Sequence, residues 1–290
     1  WNAVGEQPFL LTDDGQLKSK KQSVVIPKEL FDVWSPAQVT ALLDDESRPA
    51  FSRHVSAADR DKLVRHQAVE AIGKDRVLGV LRSRHLPCPE TWRCLMDLWA
   101  YVAPEISGYT SPESGRNVCI LPVQGSDLLH APSEVVRIGE RRLLQAESDW
   151  EFLSGHLLVL NQNWLQFLAE QRRVAEEKDG LKTKKQVEAT HLILDRVGLA
   201  DASNVGKVME QAAERFFAGG SVSRSDAVRF AQIAAKLRAK VGGAFRFATH
   251  DCQLRRVEDV VLFDSDGALG RLLPESWRLA HLLDSDYSAG

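Results

Sequence analysis

The chain lacks a long apolar run, is poor in cysteine and carries no strong charge excess of either sign. No stretch approaches the roughly 18 consecutive apolar residues of a membrane span, and no charged leader followed by an apolar core opens it. The expectation is a soluble, cytoplasmic protein with no membrane partner. The text opens on Trp1 rather than methionine and runs directly into a strand-like phrase, Pro8-Phe9-Leu10-Leu11-Thr12. From this we expect an internal segment of a larger protein.

A formal net charge of −3 and a pI near 6.3 leave no global field for nucleic acid or anionic membranes. Four cysteines in 290 residues, Cys88, Cys94, Cys119 and Cys252, are too sparse for a disulfide framework and fit a reducing compartment. His85-x-x-Cys88-x5-Cys94 offers three of the four groups a structural zinc needs, with Cys94 inside a helical pattern. The expectation is no metal and no cofactor in this segment.

Catalytic signatures are also missing. There is no Gly-x-Ser-x-Gly elbow, Walker-type loop, His-Glu-x-x-His helix or dinucleotide fingerprint. Thr249-His250-Asp251-Cys252 collects a base, a carboxylate and a thiol, but alternation along a strand puts His250 and Cys252 on one side and Asp251 on the other. A segment that is not itself an enzyme, with no catalytic residues, is the expectation.

What is present is ordinary globular composition, 44% hydrophobic and 27% charged, in enough chain for two domains. Trp92, Leu95, Met96, Trp99 and Val102 recur at three and four, the stripe of a buried helix. Further helices are expected around Trp164 to Ala175, Val187 to Leu194, Val205 to Phe217 and Phe230 to Val241, with a closing one at Trp277 to Leu282. His191, on an apolar face, reads as a hydrogen-bonded core residue. Ser56-Ala-Ala-Asp59 resembles a capping box. Strands are expected near Val118–Leu121, Glu134–Ile138, and Trp150 and Phe152.

The Ser/Gly/Pro-rich stretch from Ser107 to Gly115 places a boundary. The resulting division is 1–106, a β phrase plus a helical domain; 107–117, a linker; and 118–290, a mixed α/β domain with a basic helix and a closing β phrase. The fold class is α+β, mostly helical with three short β-hairpin-like units.

Those three units come from one recurrent phrase. Pro8 to Pro27, Ile120 to Ile138 and Phe245 to Phe263 each carry a short apolar strand, a polar turn, one leucine (Leu17, Leu129, Leu254) and a Val-Val pair (Val24-Val25, Val135-Val136, Val260-Val261). Asp14-Gly15 supplies a turn with positive φ. Asp264-Ser-Asp266-Gly267 reads as another turn, since the later ligands of a calcium loop do not follow.

Leu121-Pro122, Gly125, Ala131-Pro132-Ser133-Glu134-Val135-Val136 and Asp149-Trp150 carry a resemblance to the segments that follow the ATPase domain in sacsin-like proteins. These are large members of the gyrase, heat-shock chaperone, histidine kinase and MutL superfamily. The resemblance covers about a third of the chain and implies a chaperone-like, ATP-dependent parent with ATP bound outside this segment. It further implies that the partners are other domains of the same polypeptide and protein clients. The family's Asn-bearing helix, Asp-x-Gly-x-Gly element and Gly-rich lid do not occur here. A scaffold or regulatory interaction module is the function this implies.

The alternative is nucleic-acid binding, related to defence or repair. From Ser221 to Arg256 stand Arg224, Arg229, Lys236, Arg238, Lys240, Arg246, Arg255 and Arg256 against Asp226 and Asp251, a local balance of +6. Such a face would contact phosphates. The stretch after it, Val257 to Gly290, has a balance of −5, and the other reading is a solvated helix whose cations meet this acidic tail.

Overall fold

A computed structural model describes residues 7–12, 15–20, 23–26, 30, 33, 48–49, 55–108, 115, 117–138, 143–177, 181–196, 199–201, 203–218, 222–239, 243–249 and 253–260. Among them the fold is α+β, eight helices with short strand pairs, as the sequence led us to expect. No described helix is long and apolar enough to cross a membrane.

In chain order, β1 (Leu10–Leu11) and β2 (Leu17–Lys18) form an antiparallel hairpin. β3 (Ser23–Val25) then lies between two parallel neighbours, β4 (Arg48–Pro49) and β5 (Glu70–Ala71). Helix α1 (Ala57–Arg65) starts on Ser56, whose hydroxyl accepts the Asp59 N–H at 3.2 Å, the cap its spacing predicts. Helices α2 (Lys74–Ser83) and α3 (Trp92–Gly108) follow, then a second hairpin of β6 (Leu121–Pro122) and β7 (Leu129–His130). β8 (Val135–Arg137) leads through α4 (Glu147–Ser154) to β9 (Leu158–Val159). Helices α5 (Gln162–Glu177) and α6 (Leu181–Arg196), strand β10 (Ala200–Asp201), helices α7 (Val205–Ala218) and α8 (Arg224–Lys236), and a third hairpin of β11 (Arg246–Ala248) and β12 (Leu254–Arg256) complete the described order.

Contacts divide the chain into two units. One is Trp1–Ser133 with Asn161–Gly198; the other is Glu134–Leu160 with Leu199–Gly290. Composition divided the chain once, at 107–117, a stretch that lies mostly outside the described residues. Ser/Gly/Pro-rich text carries no information about which helices pack together. In the first unit α6 packs along α3, and the expected stripe of α3 buries Leu95, Met96, Trp99 and Val102. The Trp99 indole N–H donates to Ile120 O at 2.9 Å and meets the Trp164 ring edge-on at 5.2 Å. The second unit is built on phenylalanines: Phe216 stacks on Phe230 at 4.7 Å, and Phe230 meets Phe245 at 5.3 Å.

Trp150 and Phe152, expected in a strand, lie in α4. Two aromatics two residues apart fit a pleat only over a longer run; here Asp149 and Leu153, one turn apart, are the buried pair. The closing helix at 277–282 and the turn at 264–267 lie outside the described residues.

The recurrent phrase is a structural unit. Apart from β4, which stands between β3 and α1 and has no described counterpart between β8 and α4, hairpin, Val-Val strand, helix, parallel strand and helix come in the same order twice: β1-β2, β3, α1, β5, α2 and β6-β7, β8, α4, β9, α5. Val24 and Val25 pair with Glu70 and Ala71 as Val135 and Val136 pair with Leu158 and Val159. Single hydrogen bonds repeat as well. Phe9 N–H donates to Lys18 O as Ile120 N–H donates to His130 O, both at 3.1 Å. Ile72 N–H donates to Val25 O at 2.8 Å as Leu160 N–H donates to Val136 O at 2.9 Å. In both sheets the Val-Val strand is the middle one, flanked by parallel neighbours, the position where β-branched side chains pack best.

The third hairpin repeats the turn of the first. Thr12 N–H and Oγ1 both donate to Gln16 O, at 2.9 and 2.8 Å; Thr249 N–H and Oγ1 both donate to Gln253 O, at 3.0 and 3.1 Å. Val260 is buried in the second core; Val261 lies outside the described residues.

Candidate interaction surfaces

Helix α8 and the third hairpin carry the basic residues singled out above. Arg229 and Lys236 are seven apart, two turns of one face. That face meets α4. Lys236 Nζ lies 2.7 Å from Asp149 Oδ2, and Arg229 Nη2 lies 3.7 Å from Oδ1 and donates to Ser148 O at 2.8 Å. The Arg229 guanidinium also sits 4.7 Å from the Phe152 ring centre. Asp149 is buried, and a buried carboxylate needs such partners. Two of the eight cations therefore have an internal task. Sequence reading missed Asp149; the signal for it was a pair of cations at heptad spacing beside a helix that had been read as a strand.

The other cations are distributed differently. Arg224 is exposed at the start of α8, which Ser223 caps through a 3.1 Å bond from Asp226 N–H. Arg238 is exposed just past the helix end in the left-handed region, φ 50°. Arg246 and Arg256 stand directly opposite each other across the third hairpin, and Arg255 opposes Phe247. Arg256 Nη1 lies 3.5 Å from Glu258 Oε1, in the acidic stretch that follows. Lys240 lies outside the described residues, as do His250, Asp251 and Cys252.

A second group lies at the second hairpin. His85 Nδ1 donates to Leu129 O at 3.0 Å, and its ring sits 4.9 Å from that of His130, whose Nε2 is 3.0 Å from Ser126 Oγ. The sequence had set His85 beside Cys88 and Cys94 as a zinc triplet. No metal-ligand cluster among the described residues includes either cysteine. Burial, with the nearby Asp127 carboxylate, pushes the Cys88 thiol up to about 11, which keeps it protonated at neutral pH. Cys94 Sγ accepts from the Thr91 hydroxyl at 3.1 Å. His191 is half-buried in α6.

Among the described residues three large apolar side chains are exposed, Leu11, Leu17 and Leu128, all in hairpins. Leu11 and Leu17 are cross-strand partners in the first hairpin, at 45% and 57% exposure. Their counterparts by register in the second hairpin, Pro122 and Leu129, are both buried.

No family model, curated protein or solved structure matches this chain.

Proposed function

We propose that this chain is a non-catalytic scaffold or regulatory interaction module, an internal segment of a larger sacsin-like, ATP-dependent protein whose nucleotide site lies elsewhere. One observation carries the reading: the same hairpin, strand, helix, strand, helix series occurs twice, with the same strand registers and two of the same backbone hydrogen bonds. A supersecondary device used twice supplies framework, and function is then carried by surfaces grafted on it. The partners in this reading are other domains of the same polypeptide and protein clients, in the cytoplasm.

The test uses the purified chain and the full-length polypeptide. The chain alone is expected to leave ATP unhydrolysed, and crosslinks from it to a nucleotide-binding domain of the full-length protein are expected to change when ATP binds. ATP turnover by the chain, abolished by a single substitution within it, would overturn the reading.

A second reading, nucleic-acid binding, is favoured by the Arg246 and Arg256 pair. Like charges directly opposite in a ladder destabilise it, and a phosphate would relieve that. With Arg229 and Lys236 engaged by Asp149, the informative variants are Arg246→Ala and Arg256→Ala. Binding to a short duplex or single strand that weakens with salt and is lost in these variants supports this reading; salt-insensitive or absent binding removes it.

A further inference from the structure

The first and second hairpins share their register but differ at one edge. In an antiparallel ladder, pairs that exchange hydrogen bonds alternate with pairs whose N–H and C=O groups point outward. Leu129 is an outward residue: its N–H donates to Leu86 O at 2.7 Å and its carbonyl accepts from His85 Nδ1 at 3.0 Å. Cys88 N–H donates to Asp127 O at 2.7 Å, and Pro87 bridges Leu128 antiparallel. The stretch 85–88 thus lies along β7 as a third strand.

Leu17 holds the position of Leu129, at the start of the second strand and opposite the last residue of the first. The bonds from Thr12 to Gln16 make Thr12 and Gln16 the bonded pair, so Leu17 must be outward. No described residue bonds its outward groups, and 57% of the residue is exposed. Lys18, the next residue of β2, and Lys20, just past it, follow the leucine, and both are half-buried.

We infer that this edge of β2 accepts an extended peptide as a third antiparallel strand, and that the partner is an apolar segment flanked by acidic residues. Main-chain bonds to Leu17 supply affinity, as 85–88 supplies them to Leu129, and the two lysines select for acidic flanks. The lysines also oppose pairing of two such edges with each other, which argues for a partner of opposite charge over a second copy of this chain. The inference rests on the interaction-module reading and names what the module takes.

The probe is a fluorescein-labelled peptide with the sequence of residues 258–264, Glu-Asp-Val-Val-Leu-Phe-Asp, titrated with the full chain by fluorescence anisotropy. Saturable binding is expected. Leu17→Pro should weaken it by about tenfold or more, because proline removes the outward N–H but none of the bonds to β1. A Lys18→Glu, Lys20→Glu double variant should weaken it by about fivefold, with recovery towards a peptide carrying lysines at the ends. If Leu17→Pro unfolds the hairpin, Leu17→Asp serves instead: it sits at an exposed position and repels the acidic probe. Absence of binding up to about 1 mM, equal binding by the Leu17 variants, or dimerisation of the chain through this edge in sedimentation would overturn the inference. ATP turnover is measured on the same preparation. Hydrolysis there fails the scaffold reading, whereas lost peptide binding in a sample without turnover fails the edge alone.

Discussion

The first and second hairpins are built alike and end in opposite surroundings. Each begins with the same offset bond, Phe9 to Lys18 and Ile120 to His130, each turns through a glycine of positive φ, Gly15 at 75° and Gly125 at 77°, and each leads into a Val-Val strand at the centre of a parallel sheet. Yet Leu17 is largely exposed and Leu129 is fully buried. The shared parts are short-range, set by strand register and by β-branched packing. The turns differ, with five residues between Leu11 and Leu17 and six between Pro122 and Leu129, Gly15 itself donating to Thr12 O while Gly125 precedes the Ser126 N–H that donates to Val123 O. The difference is long-range, set by whether another stretch of chain lies along the edge.

The largest test of this contrast substitutes the two equivalent leucines. Leu129→Ala empties a packed site and should cost about 2–5 kcal/mol, whereas Leu17→Ala removes exposed surface and should stay within about 0.5 kcal/mol. Chemical denaturation followed by tryptophan fluorescence reads both, since Trp99 bonds into the second hairpin through Ile120 O. Similar losses at the two positions would mean that the first hairpin is covered in solution.

A smaller effect concerns the turn shared by the first and third hairpins. Thr12 and Thr249 are both buried, and each hydroxyl donates to a glutamine carbonyl four residues on. Thr12→Val and Thr249→Val keep the shape and remove that bond, so each should cost about 1 kcal/mol. Agreement between the two would confirm one device used twice, because a turn depends little on what covers its strands. A loss confined to Thr249 would tie the device to the phenylalanine core instead.

How much of this was legible in the sequence follows the same division between short and long range. The Ser56 cap, the α3 stripe, the helix at 205–218, the Gly15 turn and the recurrence of the phrase all depend on residues within about one or two turns of one another, which spacing alone exposes. The helix expected from Phe230 to Val241 is there only as far as Lys236, because Arg238 takes the left-handed conformation and ends it. The Asp149 cluster joins residues more than eighty apart, Ser148 to Arg229 and Asp149 to Lys236, and no local pattern announces it. The error at Trp150 and Phe152 compounded the omission, since a strand at 150–152 would have aimed Asp149 elsewhere. The returns of the chain between its two units, at 133, 160 and 198, were equally invisible. Loop composition records flexibility of phrase, and domain membership is decided by which apolar faces meet.

The smallest effect separates what the glycine of each turn costs from what surrounds it. Gly15 and Gly125 occupy the left-handed region, and a Cβ built on either meets nothing within 4 Å. Alanine at either position therefore suffers no clash with a neighbour, and its cost is the backbone preference alone, about 1 kcal/mol. That cost should be equal in the two hairpins even though one is covered and the other is not. Gly15→Ala and Gly125→Ala, compared by the shift of the denaturation midpoint at constant slope, are expected to coincide within about 0.3 kcal/mol, the agreement usual for independent sites. A much larger loss at Gly125 would show that the stretch along β7 constrains the turn as well as the strand. The turn would then belong to the long-range part of the fold, and the first hairpin, where no described residue bonds Leu17, would be expected to tighten its turn when a peptide occupies its edge.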